Sequence, residues 1–416
     1  MASIGTSNWI AIKQPLESTA LQEAPLQQAG ASSGSLNSLQ QLSTHLLSTY
    51  TAINQRFTEH QEMLNRGSSP MPPSFDIASP TGLSTVKIQD WLGEGSHGEV
   101  YRVSVSRDGG SIGEYALKVA KRKQKSVDNE RCKRNLNTEV NMLREWAALS
   151  SADDVPLARL IAGPLSIGPD RTGFLQELYG DSLSRIYQDS LDGLSLESTK
   201  ACAAQIAPAL HALEQAGMTH LDIKPDNILY DTRRQRFCIA DAGSCLKGAK
   251  RANEKGDYVV SRYYRPPEIV YGKPYGPPVD KWSFGCTLFE VFTGQILFPA
   301  ANTPDLKRMF PSFLGPAPQG FLAKASDSPS SSSPVAVSRD RFFTEAMESK
   351  LDRSDGQTYK HFNDFLAKTL RWEPSRRLTG YEMQSHPFLG EGNPVVQVTA
   401  RRPEIDLPAK KTPEGC

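Results

Sequence analysis

The stretch His220-Leu221-Asp222-Ile223-Lys224-Pro225-Asp226-Asn227 places a carboxylate, an ammonium and an amide within one short segment. Those groups suit the movement of a phosphoryl group, which needs positioning and charge neutralisation more than covalent chemistry. Asp222 can orient an attacking hydroxyl or take its proton, and Lys224 can neutralise the phosphoryl group in flight. Asn227 offers a hard oxygen to a divalent cation. Nineteen residues beyond Asp222, the segment Asp241-Ala242-Gly243 supplies a second hard donor.

Phosphates also need a cradle and a fixed counter-charge. The run Gly93-Glu94-Gly95-Ser96-His97-Gly98-Glu99-Val100 supplies the first. Gly93, Gly95 and Gly98 lack side chains, so a strand–turn–strand backbone can fold close over phosphate. The same spacing opens a helix in dinucleotide-binding folds, but here a hairpin pattern follows it. His97 at the loop tip has no assigned role. Lys118, in Ala116-Leu117-Lys118, sits in an apolar strand pattern, which favours a fixed cation over a solvated surface charge. A carboxylate must hold it. Glu139 is the candidate, because Val140 and Leu143 give its helix an apolar face; Glu130 and Glu145 are the alternatives.

The elements that must position these groups are legible in outline. Val86 to Leu92, Glu99 to Ser106 and Tyr115 to Val119 read as strands, with a turn at Arg107-Asp108-Gly109-Gly110. Helices are expected from Arg131 to Leu149 and from Leu196 to Gly217, and the chain then reads as mainly helical to about Leu389. Residues 1 to 85 are rich in Ser, Thr, Gln, Ala and Pro and poor in charge, so most of them are expected to be disordered. Within them Leu39, Leu42, Leu46, Tyr50, Ile53, Phe57 and Leu64 recur at helical spacing. That amphipathic helix, 39–64, either docks on the folded part or contacts a partner. Ser326 to Ser338 is a low-complexity insertion, and a flexible tail is expected from Gly390.

Composition narrows the setting. The 416 residues allow one large domain with tails, and a net charge of +1 gives no global field for nucleic acid or membrane. Six scattered cysteines without a Cys-x-x-Cys pair argue against a zinc site or disulfide framework and suit a reducing compartment. The N-terminus lacks a secretory pattern, and no run approaches the ~18 apolar residues of a membrane-spanning helix. The protein is therefore not expected to be secreted.

In this order, the glycine run, Lys118, the Asp222 loop and Asp241 resemble the signature set of eukaryotic protein kinases. The resemblance implies an α+β bilobal fold: a small β-rich N-lobe at 86–177 and a large helical C-lobe at 178–389 carrying the insertion 326–339. It implies ATP and Mg²⁺ as cofactors and protein Ser/Thr hydroxyls as acceptors. Catalytic roles fall on Asp222, Lys224, Lys118 and Glu139. Nucleotide contacts fall on Gly93, Gly95, Gly98, Val100, Ala116, Lys118, Glu177, Asn227 and Asp241, with Mg²⁺ on Asn227 and Asp241. Gln176 stands at the gatekeeper position before Glu177. Pro266-Pro267-Glu268 stands where kinases carry Ala-Pro-Glu. Asp280-Lys281-Trp282-Ser283-Phe284-Gly285-Cys286 matches the Asp-x-Trp-Ser-x-Gly-Cys stretch. Arg377 is the expected buried partner of Glu268.

Ser261-Arg262-Tyr263-Tyr264-Arg265-Pro266-Pro267-Glu268 resembles the corresponding segment of the CMGC group, notably its dual-specificity tyrosine-regulated and pre-mRNA-processing (PRP-four-type) branches. Tyr258 matches their activation-loop tyrosine, and Arg262 and Arg265 could pair with its phosphate. Tyrosine autophosphorylation, Pro-directed acceptors and a nuclear setting are implied, with the cytoplasm as the alternative. Lys121-Arg122-Lys123-Gln124-Lys125 reads as a nuclear localisation run or as a solvated loop. Ser328-Pro329 and Ser333-Pro334 are candidate autophosphorylation sites.

The chain departs from the family at two chemically important positions. Leu221 replaces the Arg between His and Asp, although the related branches also lack that Arg. Ala242 replaces the Phe of Asp-Phe-Gly, which is expected to leave a cavity or loosen the active arrangement. The chemistry-bearing residues are all present, which favours an active kinase over a pseudokinase scaffold; a small-molecule phosphotransferase is the third reading.

Overall fold

The computed structural model describes residues 71–79, 82–95, 98–121, 126–149, 155–167, 171–188, 193–251, 259–318, 321 and 356–390. Helix 39–64, His97, Tyr258, the insertion 326–339 and residues 391–416 lie outside the described residues.

Alternating apolar residues build the first part as one antiparallel sheet. Its strands are β1 (Ser74–Ser79), β2 (Gly82–Glu94), β3 (Gly98–Arg107) and β4 (Gly110–Ala120). Helix α1 (Ser126–Leu149) follows, then β5 (Leu160–Ile167) and β6 (Arg171–Glu177). The strand order is β1-β2-β3-β4-β6-β5. Leu117 and Val119 of β4 pack with Val86, Val103, Val105, Ile167 and Leu175 in one apolar layer. The pleat therefore sends Lys118, between them, to the opposite face.

Strand β1 corrects the expectation that the extension runs to residue 85. Ser74 pairs with Lys87 and Ser79 with Gly82, forming a hairpin with β2. Phe75 and Ile77 are every-other residues that pack on the same apolar layer, which repays the ordering of this edge strand.

The second part is mainly helical. It contains α2 (Leu183–Gln188), α3 (Leu196–Gln215), β7 (Met218–Thr219), β8 (Ile228–Asp231), β9 (Arg236–Ile239), β10 (Leu246–Lys247) and β11 (Lys250–Arg251). After these come α4 (Pro267–Val270), β12 (Pro274–Tyr275), α5 (Pro278–Thr293), α6 (Thr303–Leu314), α7 (Gly356–Thr369) and α8 (Gly380–Gln384). Ser195 caps α3 by accepting from the Ser198 amide at 3.1 Å. Helix α5 is buried at every residue from Val279 to Thr293. A helix buried all round is a central core element, and it carries Asp280 into that core.

Short ribbons bring the chemistry together. In the β8–β9 hairpin Ile228 pairs with Ile239, and the Ala240 amide donates to the Asn227 carbonyl at 2.9 Å. The spacing between Asn227 and Asp241 is thus one hairpin, which returns the chain to its starting point.

Candidate active site

The glycine run leads β2 into β3. The Gly95 amide donates to the Gly98 carbonyl at 2.8 Å, closing the turn. A Cβ on Gly98 would lie 3.0 Å from the Val119 carbonyl oxygen and 3.3 Å from Cγ of Lys118, so this residue allows β3 to approach the lysine strand. Val100 faces Lys118 in the ladder, and Ala116 pairs with Gln176 of β6.

Lys118 is bound on two sides. Its Nζ donates to Oε1 of Glu139 at 2.6 Å and to Oδ1 of Asp241 at 2.9 Å. Of the three candidate glutamates on this helix, Glu139 is the buried one that reaches it. Glu130 instead pairs with Lys133 and Glu145 with Lys247. Burial opposes the charge on Lys118, but Glu139 and Asp241 outweigh it and hold the ammonium above the usual lysine range. Burial pushes Glu139 up to about 7, with Lys118 pulling against it and Asp241 adding to it. Asp241 moves the other way: burial alone would raise it, and Lys118 holds it well below the usual carboxylate range. Two carboxylates share one ammonium, and the deeper one is the easier to protonate.

The Asp222 carboxylate is held by three donors. Lys224 Nζ reaches its Oδ2 at 2.7 Å, Asn227 Nδ2 reaches the same oxygen at 2.9 Å, and Ser261 Oγ donates to Oδ1 at 2.7 Å. Lys224 also lies 3.2 Å from Ser261 Oγ. A carboxylate has about four lone-pair sites, so room remains for a further hydroxyl. In the sequence Ser261 stands out only as part of the Ser261-to-Glu268 motif. Its bond to Asp222 crosses 39 residues, and no local pattern signals it.

The backbone of this loop is set from below. Asp280 of α5 accepts from the His220 amide at 2.6 Å and the Leu221 amide at 2.9 Å. Leu221 is buried with φ +65°, a strained conformation for a leucine, so the two bonds hold a shape it would not choose. The His220 ring accepts from the Asp222 amide at Nδ1 (3.2 Å) and contacts the Ala240 carbonyl at Nε2 (3.0 Å). Those two bonds fit the Nε2–H tautomer. Glu268 and Arg377 form a buried, two-armed ion pair with both N–O distances 2.6 Å.

Asn227 and Asp241 can serve a divalent cation. Both amide hydrogens of Asn227 point at Asp222, to its main-chain oxygen at 2.8 Å and to Oδ2, leaving the amide oxygen for a metal. Asp241 places Oδ1 on Lys118, and its side chain is 43% exposed. Among the described residues no group of three or more His, Cys, Asp or Glu side chains could hold an ion alone. Two donors suit Mg²⁺, which is held by a few protein oxygens plus phosphate and water. Asn227 and Asp241 would hold it there, and it would supply positive charge against nucleotide phosphates.

Other expected residues take less direct places. The Glu177 carboxylate is buried and accepts from Arg234 (2.9 and 3.2 Å) and from the Tyr179 hydroxyl (3.1 Å), and its amide donates to the Arg159 carbonyl at 3.0 Å, so its side chain is engaged within the protein. Arg262 donates to the Ala301 carbonyl at 2.5 Å. Arg265 is buried and puts Nε and Nη2 on the Val260 carbonyl at 3.1 and 2.8 Å. Ala242 is fully buried, and α1 packs against the turn that holds it. The expected loosening around Ala242 is not found: the Lys118 bridge is closed.

A protein kinase domain model matches residues 86–389. The serine/threonine-protein kinase ppk5 of Schizosaccharomyces pombe is 31% identical over 324 residues, covering 74% of this chain and 36% of that protein. The DYRK-family kinase pom1 of the same yeast is 28% identical over 315 residues, 73% of this chain and 27% of that one. Its serine/threonine-protein kinase prp4 is 45% identical over 116 residues, 28% and 24% of the two chains. The chain spans about a third or less of the length of these relatives. Among the described residues, no helix is long and apolar enough to cross a membrane. The matched domain and the named relatives place one conclusion on the geometry above: the chain belongs to the protein kinase family, on the CMGC side where prp4-type and DYRK-type kinases lie.

Proposed function

We propose that this protein is an active Mg-ATP-dependent serine/threonine protein kinase of the CMGC type. It transfers the ATP γ-phosphate in line to a protein hydroxyl. Asp222 orients that hydroxyl, Lys224 neutralises the moving group, Lys118 steadies the α- and β-phosphates, and Asn227 and Asp241 hold Mg²⁺. The single observation that carries this is Lys118, bonded at once to Glu139 and Asp241 across 21 and 123 residues of sequence. A scaffold that only binds partners has no need of a closed bridge at that point.

Preference for proline after the acceptor is supported by Val260. Its backbone is left-handed at φ +65°, and Arg265 occupies its carbonyl. A substrate N–H arriving there would find the acceptor already engaged. Proline has no N–H to satisfy, so it loses least. Autophosphorylation of Tyr258 and a nuclear, pre-mRNA-processing setting belong to the same reading and rest on the likeness to the CMGC branches.

The test is transfer of labelled phosphate from ATP to a generic basic protein with and without Mg²⁺, wild type beside Asp222→Asn, with mapping of Tyr258. Mg²⁺-dependent transfer that Asp222→Asn abolishes is the expected result. A wild type that binds Mg-ATP but transfers nothing would favour the scaffold.

A further inference from the structure

Ala242 leaves the family's usual phenyl ring out of the site, yet the site is closed. Ala242 is fully buried in the same apolar core as Trp146 of α1, and α1 packs against the turn that carries it. Trp146 is 1% exposed, and its ring stacks on His220 with centroids 5.7 Å apart and planes 28° from parallel. Its Nε1 finds no acceptor among the described residues, so the indole is there for its ring and not for a hydrogen bond. Offset stacks at this separation are favourable beyond area burial.

The stack matters because of what His220 touches. One ring nitrogen accepts from the Asp222 amide and the other meets the carbonyl of Ala240, next to Asp241. A ring packed on His220 therefore bears on the Asp222 amide and on the carbonyl one residue before Asp241. Trp146 lies seven residues after Glu139 on α1, two turns on and on the same face. That one face holds Lys118 through Glu139 at one end and the catalytic loop through Trp146 at the other. The next element agrees: Glu145 pairs with Lys247 of β10 at 2.8 Å. Gly243 also lies close under the helix, where an added Cβ would come 3.3 Å from Oε2 of Glu139.

We propose that Trp146 is a positioning residue that takes over the work of the missing Phe at position 242, coupling α1 to Asp222 and Asp241 through His220. For its kinetic readout the inference rests on the kinase reading. The experiment is a double-variant cycle of wild type, Trp146→Leu, Ala242→Phe and Trp146→Leu/Ala242→Phe, followed by kcat, KM for ATP and thermal midpoint. Trp146→Leu is expected to lower kcat by roughly 10- to 100-fold with a smaller change in KM for ATP, since misplaced catalytic groups cost rates of that order. Ala242→Phe alone overfills the same space and also lowers kcat. The double variant recovers to within several-fold of wild type. Equal losses that simply multiply, or a Trp146→Leu variant with wild-type kcat, would overturn the proposal. Should wild type itself transfer no phosphate, the kinase reading fails separately, and the cycle is read in thermal midpoints. There the double variant melting above the sum of the two single losses supports the shared packing, and additive losses overturn it.

Discussion

Replacing Asp280 by Asn probes the support beneath the catalytic loop. The His220 amide donates to Oδ2 and the Leu221 amide to Oδ1, so each carboxylate oxygen has its own partner. Burial raises the pKa of this acid, opposed by His220 and the two amide bonds. An asparagine has one oxygen and one NH₂, and no flip accepts from both amides; one N–H must face another donor. A bond to a charged group is worth roughly 1.5–3 kcal/mol, and a buried N–H left unpaired costs about 1–3 kcal/mol. Near the middle of those ranges, together these give a loss of about 3–5 kcal/mol. Leu221 no longer needs its left-handed backbone, which returns a little of that. At roughly 2 °C per kcal/mol for a large domain, the thermal midpoint falls by about 6–10 °C. Activity falls further than stability predicts, because His220 and Asp222 move together; about a hundredfold in kcat is expected. The assay is scanning calorimetry beside steady-state phosphate transfer at a temperature where the variant is folded. A variant that melts within about 1 °C of wild type and keeps kcat within about twofold would refute the reasoning, since neither lost bond could then have carried its usual weight.

Three further outcomes are expected. Glu268→Gln leaves Arg377 as a buried charge without its carboxylate, and chemical unfolding should register a loss of about 3–5 kcal/mol, whereas a loss under about 1 kcal/mol would show the pair to be expendable. Glu139 has a folded value of about 7 against 4.5 for the free side chain, so the folded protein alone holds this proton between those values. Its contribution to stability therefore falls as pH rises through that window. ATP affinity runs the opposite way, weakening below about pH 7 as Glu139 protonates and leaves Lys118 to Asp241 alone, and Glu139→Gln should flatten that limb of the KM profile. An unchanged limb in the variant would assign it to another group. Arg265→Lys keeps a charge but loses the two-armed grip on the Val260 carbonyl, so the ratio of kcat/KM for Ser-Pro over Ser-Ala peptides should drop by at least about threefold; a constant ratio would separate Arg265 from acceptor choice.

Much of the site was readable because phosphoryl chemistry demands particular side chains at short spacing. Asp222, Lys224 and Asn227 share one loop, and the β8–β9 hairpin makes Asp241 their neighbour. Glu139 needed only the apolar face of its helix to be singled out, although Glu130 and Glu145 stayed open until burial decided among them. What was not readable depends on contacts far apart in sequence. Ser261 meets Asp222, Asp280 meets His220, and Trp146 meets His220 across distances that no period or motif spans. Strand β1 was missed for a different reason: six residues with two half-buried apolar side chains are a weak signal beside a Ser- and Pro-rich extension.

Strand β1 also fixes where a shortened protein can start. Its six residues cover the first half of β2, which at thirteen residues is the longest strand described and runs directly into the glycine run at Gly93 and Gly95. A protein cut at residue 85 would lose β1 together with Gly82 to Thr85, most of the part of β2 that pairs with it, and Phe75 and Ile77 would no longer cover the apolar layer around Val86 and Val103. The apolar surface so uncovered would make such a fragment prone to self-association. A boundary at or before Met71 avoids this, because the hairpin and the Ile88 amide bond to the Pro73 carbonyl at 2.9 Å stay with the sheet.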